Sequence, residues 1–217
     1  MTPSKGDFLK AIVKLGGGER RVNNKDLAKE LKISSAGVTD MALKLMNEGY
    51  IDYIPYKGIE ITETGNKETN KLIRKHRLWE VFLYEKLGYD WNQVHADADL
   101  LEHASSDFLI EKLNEFLGFP TMDPHGELIP NAEGEVKSST SIPLSDLEVG
   151  VSFIISEVSD NTAFLDHLLK KNITLHDHYR LVEIEEYEGA LLLEDSNGEQ
   201  KRISANTASQ IKVKLNT

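Results

Sequence analysis

The 217-residue sequence predicts a mainly α-helical protein with a small β domain at its C-terminal end. Three observations lead there. Short amphipathic helices followed by an alternating hairpin fill residues 1–62, and longer helical periods with one polar stripe fill residues 63–130. After a small, polar stretch at residues 131–143, which reads as a linker, residues 144–217 break into short alternating strands separated by turn residues.

Composition narrows the function before any motif is considered. Cysteine is absent, which excludes disulfides, zinc ribbons and thiol catalysis and suits a reducing cytosol. No segment approaches the roughly 20 apolar residues that a membrane span needs, and the N-terminus lacks a basic region followed by an apolar run. A cytoplasmic protein with no membrane partner is expected. The net charge of -11 argues at first against nucleic acid, but its distribution does not. Residues 1–75 carry 14 basic and 10 acidic side chains, whereas the remainder carries 11 and 26. A basic front on an acidic body points to an anionic partner for the front alone.

The front begins with a helix from Ser4 to Leu15, whose Phe8, Leu9, Ile12 and Val13 recur at helical spacing and which Gly16-Gly17-Gly18 ends. Asn23 and Asn24 are capping residues ahead of a second helix, Lys25–Leu31. Lys32-Ile33-Ser34 makes a turn, and Ser34 or Ser35 caps a third helix through Glu48, with Val38, Met41 and Leu45 on its inner face. Two helices joined by a three-residue turn form a helix-turn-helix, whose second helix enters the DNA major groove. The alternating strands of Tyr50–Thr62 around a Lys57-Gly58 turn then form a wing. Ser34, Ser35, Ala36, Thr39, Asp40 and Lys44 occupy the start and exposed side of the third helix, and Lys57 the tip of the wing. The hydroxyls can donate to phosphate or base edges and the lysines can neutralise phosphate. Asp40 would repel the backbone, so it is either a specific base contact, accepting from a cytosine amino group, or a point where affinity is deliberately weak.

Thr62 caps a long helix to about Leu87 with Leu72, His76, Trp79, Leu83 and Leu87 on one stripe; His76 and Glu80 stand four residues apart on it. Apolar residues 78–84 exceed what one small core requires, so part of them is expected in a dimer interface. In the next helix His95, Asp99, Glu102 and His103 fall at i, i+4, i+7 and i+8, one face of a helix. Val94, Ala98 and Leu101, with Leu100 beside them, supply its apolar side. Carboxylate and imidazole on one buried face suit a divalent cation; the other reading of this spacing is a solvated acidic face with two incidental histidines. A further helix, Asp107–Leu117, ends at Gly118, and Asp123-Pro124-His125-Gly126 is a turn with two more candidate ligands. Beyond the linker, strands at 151–158, 179–187, 190–194, 200–203 and 210–213 around one helix, Thr162–Lys171, read as a five-stranded barrel.

This order of parts resembles the diphtheria toxin repressor family of metal-dependent repressors, and specifically its manganese-responsive branch. The likeness covers essentially the whole chain. It rests on the winged helix with Asp7 near its start, the helix bearing His76 and Glu80, the Val94-His95-x-x-x-Asp99-x-x-Glu102-His103 segment, the Asp123–Gly126 turn, and a C-terminal barrel similar to SH3-like domains of the FeoA type. The resemblance implies one metal site from Asp7, Asp99, Glu102 and His103, and a second drawing on His76, Glu80, His95, Asp123, His125 and Asp160. It also implies a homodimer on palindromic operator DNA, no small-molecule substrate, and control of metal uptake genes. Iron-activated relatives carry Met and Cys where this chain has Asp7 and Asp99, and a sulfur-free ligand set favours a harder ion such as Mn(II), with Fe(II), or Zn(II) and Cd(II) in vitro, as further ions for such sites. Where the manganese branch more usually has Glu at position 99, this chain has Asp, and where close relatives can have Cys at position 123 it again has Asp. Two other classes compete: a metallohydrolase, which would leave the winged helix unexplained, and a metal-independent regulator whose polar cluster is structural, which predicts chelator-insensitive DNA binding.

Overall fold

The computed structural model describes residues 2–216. The chain forms two compact units, one of Met1–Arg77, Asp99–Glu111 and Ile129–Lys137, the other of Leu78–Ala98, Lys112–Leu128 and Ser138–Thr217.

The first unit opens with α1 (Pro3–Lys14), α2 (Asn24–Glu30) and α3 (Ser35–Asn47), then the antiparallel hairpin β1 (Ile51–Ile54) and β2 (Gly58–Ile61). Side-chain caps fix two of the helix starts: Asp26 N–H donates to Asn23, and Gly37 N–H to Ser34, each cap contributing about 1 kcal/mol. Lys32, at φ 53°, turns the chain between α2 and α3. Phe8, Leu9, Ile12, Leu27, Val38, Leu45, Ile51 and Ile59 close one core beneath these elements, each buried side chain contributing roughly 1.5–3 kcal/mol. Gly58 must be glycine: its φ is +106°, and a Cβ there would stand 2.6 Å from the Val22 carbonyl oxygen. That close approach lets Val22 bridge Ile59 and seats the hairpin against the helices.

Three further helices contribute to both units: α4 (Glu63–Leu87), α5 (Val94–Ala104) and α6 (Asp107–Phe116). Thr62 caps α4 by accepting from Gly65 N–H at 3.0 Å, while its own hydroxyl donates to the Gly49 carbonyl at 2.8 Å. On α5, Val94 and Ala98 are buried, but Leu100 is 72% exposed rather than part of the apolar side. Within residues 131–143, Asn131 and Glu135 close a turn, and Asn70 donates to its Gly134 carbonyl at 2.9 Å; residues 138–141 form no regular element.

The second unit carries an antiparallel sheet in the order β3 (Ile142–Pro143), β8 (Ile211–Leu215), β4 (Ser152–Val158), β5 (His178–Ile184), β6 (Leu191–Asp195) and β7 (Gln200–Ile203). The helix α7 (Thr162–Lys170) and the short α8 (Ala205–Ala208) complete it. Register shifts between Ile155 and Glu157 and between Leu181 and Glu183 bend β4 and β5, as bulges do in barrel-like sheets. Phe153, Ile155, Leu165, Leu168, Leu181, Leu193, Ile211 and Val213 fill the core, joined by Trp91. The sheet has six strands where alternation reveals five. The added one, β3, is two residues long and one of them is proline, too short for a period of two to register.

Candidate metal centre

In the first unit, α1 and α5 bring charged side chains together. Asp7 and Lys10 lie one turn apart on α1, and Asp99, Glu102 and His103 on the last turns of α5. The Glu102 side chain is wholly buried. Its Oε2 lies 2.7 Å from His76 Nδ1, and its Oε1 3.2 Å from His103 Nε2. His103 Nε2 is also 2.9 Å from Asp7 Oδ1, and His76 Nδ1 3.3 Å from Asp99 Oδ1. Two three-ligand groups therefore share one carboxylate: Asp7, Glu102 and His103, and His76, Asp99 and Glu102, each with one donor atom per residue within 4.8 Å of the others. His76, which the resemblance assigns to the second site, contacts Glu102 of the first.

Lys10 completes this cluster, and no motif in the sequence marks it. Its ammonium donates to Asp99 Oδ1 at 3.1 Å and to both Glu102 oxygens at 2.9 and 3.0 Å. Burial pulls its pKa down, but the charges of Glu102 and Asp99 and the hydrogen bonds to both outweigh this and hold it above the ordinary lysine value. The only sequence signal for Lys10 is an opposite charge three residues after Asp7 on the same helix.

The second unit holds a different cluster. Glu80, Asp123 and His125, all buried, present donor atoms within 4.8 Å of one another. His95 Nδ1 stands 3.4 Å from Glu80 Oε1 and 3.7 Å from Asp160 Oδ2. The Asp123–Gly126 turn is held by its backbone. Asp123 Oδ1 accepts from His125 N–H at 2.8 Å and Glu127 N–H at 2.9 Å, and the His125 carbonyl accepts from Val158 N–H at 3.0 Å. Gly126, at φ +84°, lies so close to β4 that a Cβ would come within 2.0 Å of the Ser156 carbonyl oxygen.

This turn fixes the tautomer of His125. Its Nε2 faces the Trp91 carbonyl oxygen at 2.8 Å, an atom that can only accept, so Nε2 bears the proton and Nδ1 of the neutral ring bears a lone pair. His125 is fully buried and Nδ1 has no hydrogen-bond partner. A buried imidazole lone pair beside two carboxylates, with the opposite ring nitrogen anchored on a carbonyl, is the arrangement of a metal-ligating histidine. The residues present fit a divalent cation.

On the winged helix, Ser35, Ala36, Asp40 and Lys44 are exposed along α3, and Ser34 spends its hydroxyl oxygen on the helix cap. Asp40 pairs with Lys44 at 2.6 Å, which accounts for a carboxylate on this surface and occupies the lysine. Lys57, at the wing tip, makes no ion pair among the described residues. Thr39 donates to the Ser35 carbonyl and accepts from Asn24, which also donates to the Tyr53 hydroxyl at 3.3 Å. Asn24, Thr39 and Tyr53 line a groove of about 440 Å³ between α3 and the wing, together with Leu43, Pro55 and Tyr56. Tyr56 is fully exposed in a left-handed conformation, φ 66°. Asn24, which the sequence offers as a capping residue, bonds Thr39 and Tyr53 instead, and the cap falls to Asn23; the aromatic side chain inside the turn Pro55-Tyr56-Lys57-Gly58 is the sequence signal for Tyr56.

Residues 1–59 match the iron dependent repressor N-terminal DNA binding domain, and residues 62–131 its metal binding and dimerisation domain. The chain belongs to the iron-dependent repressor family. It is thus a metal-responsive, DNA-binding transcriptional repressor with a dimerisation domain, and not an enzyme. An uncharacterized HTH-type transcriptional regulator of Methanocaldococcus jannaschii is 40% identical over 118 residues, 54% of this chain and 94% of that one. Among solved structures, a manganese-dependent transcriptional repressor in complex with manganese superposes with a TM-score of 0.89 at 30% identity, over 97% of this chain and 99% of that one. The manganese regulator SloR superposes with a TM-score of 0.84 at 32% identity, over the whole of both chains.

Proposed function

We propose that this family member is a cytoplasmic, manganese(II)-dependent repressor that binds a palindromic operator as a dimer and controls metal uptake genes. The observation that carries this reading is the buried Glu102 on α5, flanked by Asp7 from α1 of the DNA-binding core and by His103. Asp7, Glu102 and His103 would hold one ion, with Asp99 and His76 beside them; Glu80, Asp123 and His125 would hold another, with His95 and Asp160 at its edge. No donor is sulfur, which suits a hard ion. Two solved relatives about 30% identical to this chain, a manganese-dependent repressor in complex with manganese and the manganese regulator SloR, support the same ion.

When bound, the metal supplies two positive charges to carboxylates that otherwise repel one another. The chain's own residues do the rest. Asp7 and Glu102 come to one point and tie α1 to α5, which fixes the helix-turn-helix packed on α1. His103 and His76 orient Glu102 from either side. Two copies then present their α3 helices to successive major grooves, about 34 Å apart. Asn24, Thr39 and Tyr53 hold the base of the groove, while Ser35, Ala36 and Tyr56 face the duplex and Lys57 meets a phosphate. Tyr84, Leu87, Phe116 and Phe119 are large apolar side chains left exposed on the second unit, and Leu100 and Phe108 on the first; they supply the apolar area a second copy would cover.

The test is selection of duplexes from a random pool by chelator-stripped protein with and without Mn(II), then fluorescence anisotropy on the selected sequence at fixed salt. Palindromic DNA bound only with Mn(II) is expected. Lys10 already neutralises part of the first cluster, which favours a second reading in which that cluster is a structural ion-pair network. Equal binding in chelator and in Mn(II) would establish that one instead.

A further inference from the structure

We propose that Lys10 is a tethered competitor for the metal: its ammonium holds the oxygens of Asp99 and Glu102 that a divalent cation must take, and so sets the concentration at which the protein responds. The inference rests on the metal reading above and adds to it a residue that supplies no ligand.

An ammonium has three N–H donors. Lys10 spends all of them on the cluster, on Asp99 Oδ1 and on each oxygen of Glu102, at 2.9 to 3.1 Å. The same two carboxylates and His76 form one of the two three-ligand groups of the first unit. Divalent ions sit about 2.0–2.6 Å from carboxylate oxygen. A cation at that distance from Glu102 would share its oxygens with the Lys10 ammonium, and two positive charges so placed, on a side chain removed from water, repel strongly. Lys10 must withdraw for the metal to enter. Withdrawal is feasible because Lys10 is not sealed in: its side chain keeps 23% of its exposure and Asp99 keeps 47%, while Glu102 keeps none.

The placement also explains why α1 offers opposite charges one turn apart to a single face of α5. Lys10 ties α1 to α5 through Asp99 and Glu102. Asp7 reaches the same face through His103. A divalent ion thus replaces the Lys10 tether while the Asp7 side of the cluster stays in place, and the free energy of the Lys10 tether is subtracted from the metal's affinity. The carboxylates stay gathered in the meantime, which keeps the cluster from expanding under its own charge.

The experiment is calorimetric titration of chelator-stripped protein with Mn(II), for the natural chain, Lys10→Gln, and Lys14→Gln as a charge-matched control on the same helix. Thermal melting is followed by circular dichroism with and without the ion. Lys10→Gln is expected to bind Mn(II) at least about tenfold more tightly. It should also melt at a lower temperature than the natural chain in chelator and gain more from added Mn(II); Lys14→Gln should match the natural chain in affinity. Unchanged or weaker binding by Lys10→Gln would overturn the proposal, and with a lowered melting temperature would make Lys10 a merely structural partner of Glu102. Absence of Mn(II) binding by the natural chain would instead sink the metal reading and this inference with it. Should Lys10→Gln melt below the assay temperature, Lys10→Met, which keeps the aliphatic stem without the charge, faces the same two outcomes.

Discussion

The clusters around Glu102 and around His125 both join carboxylates to histidines, yet they are held in opposite ways. Around Glu102 side chain meets side chain: Asp7 to His103, Lys10 to Asp99 and Glu102, His76 to Glu102. Around His125 the backbone does the holding, through two N–H groups on Asp123, the Val158 N–H on the His125 carbonyl, and the Trp91 carbonyl on Nε2. Side chains such as Lys10 and Asp7 can rearrange at the cost of rotamers, whereas a backbone-locked turn can change only if the sheet it rests on changes. The first cluster is therefore the adjustable one and sits where α1 of the DNA-binding core is tied. The second is preformed, and its role in this reading is to hold an ion rather than to respond to one.

The largest effect expected is on the adjustable cluster. Glu102→Gln keeps the shape of the buried side chain and removes the charge shared by both three-ligand groups. DNA affinity in Mn(II), by anisotropy, should fall at least about 100-fold, beyond what loss of an outer partner of a metal ligand costs. Affinity in chelator should stay where it was. If Glu102→Gln repressed and bound as the natural chain does, the contrast between the clusters would be broken at its centre.

Gly126→Ala attacks the preformed cluster through its backbone. The added Cβ meets the Ser156 carbonyl at 2.0 Å and the residue must hold φ +84°, so the turn or β4 has to shift. A loss of roughly 2–4 kcal/mol is expected, read as a lower denaturant midpoint at unchanged slope. A neutral Gly126→Ala would mean that the turn is not locked, and the distinction between the two regions would lose its physical basis.

His125→Ala separates holding from responding. It removes the Nδ1 lone pair and leaves the Trp91 carbonyl without its donor, a cost of about 1–3 kcal/mol. Equilibrium dialysis should find one Mn(II) fewer per chain. Metal-dependent DNA binding should weaken by about tenfold or less. Complete loss of metal-dependent DNA binding with the fold intact would show the preformed cluster to be the switch.

Much of this was legible in the sequence because it is local. The helix spacing of residues 94–104, the caps Asn23, Ser34 and Thr62, and the Asp123–Gly126 turn all announce themselves within a few residues. What escaped depends on distant partners. Lys10 meets residues 89 and 92 positions away, and its only local mark is its place three residues after Asp7. Leu100 reads as apolar, and only packing reveals that it faces outward. Asp40 is the local exception: its charge alone predicts repulsion of DNA, and its pairing with Lys44 four residues on offsets that charge.

The smallest effect expected tests the rim of the preformed cluster. Asp160 is 39% exposed at the side chain and stands 3.7 Å from His95, beyond hydrogen-bonding distance. An exposed pair at that separation contributes between nothing and about 1 kcal/mol. Asp160→Asn should therefore change Mn(II) affinity by less than about fivefold and leave the melting temperature unchanged in chelator. A much larger loss would mean that Asp160 moves onto the ion when it binds. The second cluster would then be preformed only on its Asp123–His125 side, with its other side recruited from the loop ahead of α7, and would itself be partly adjustable.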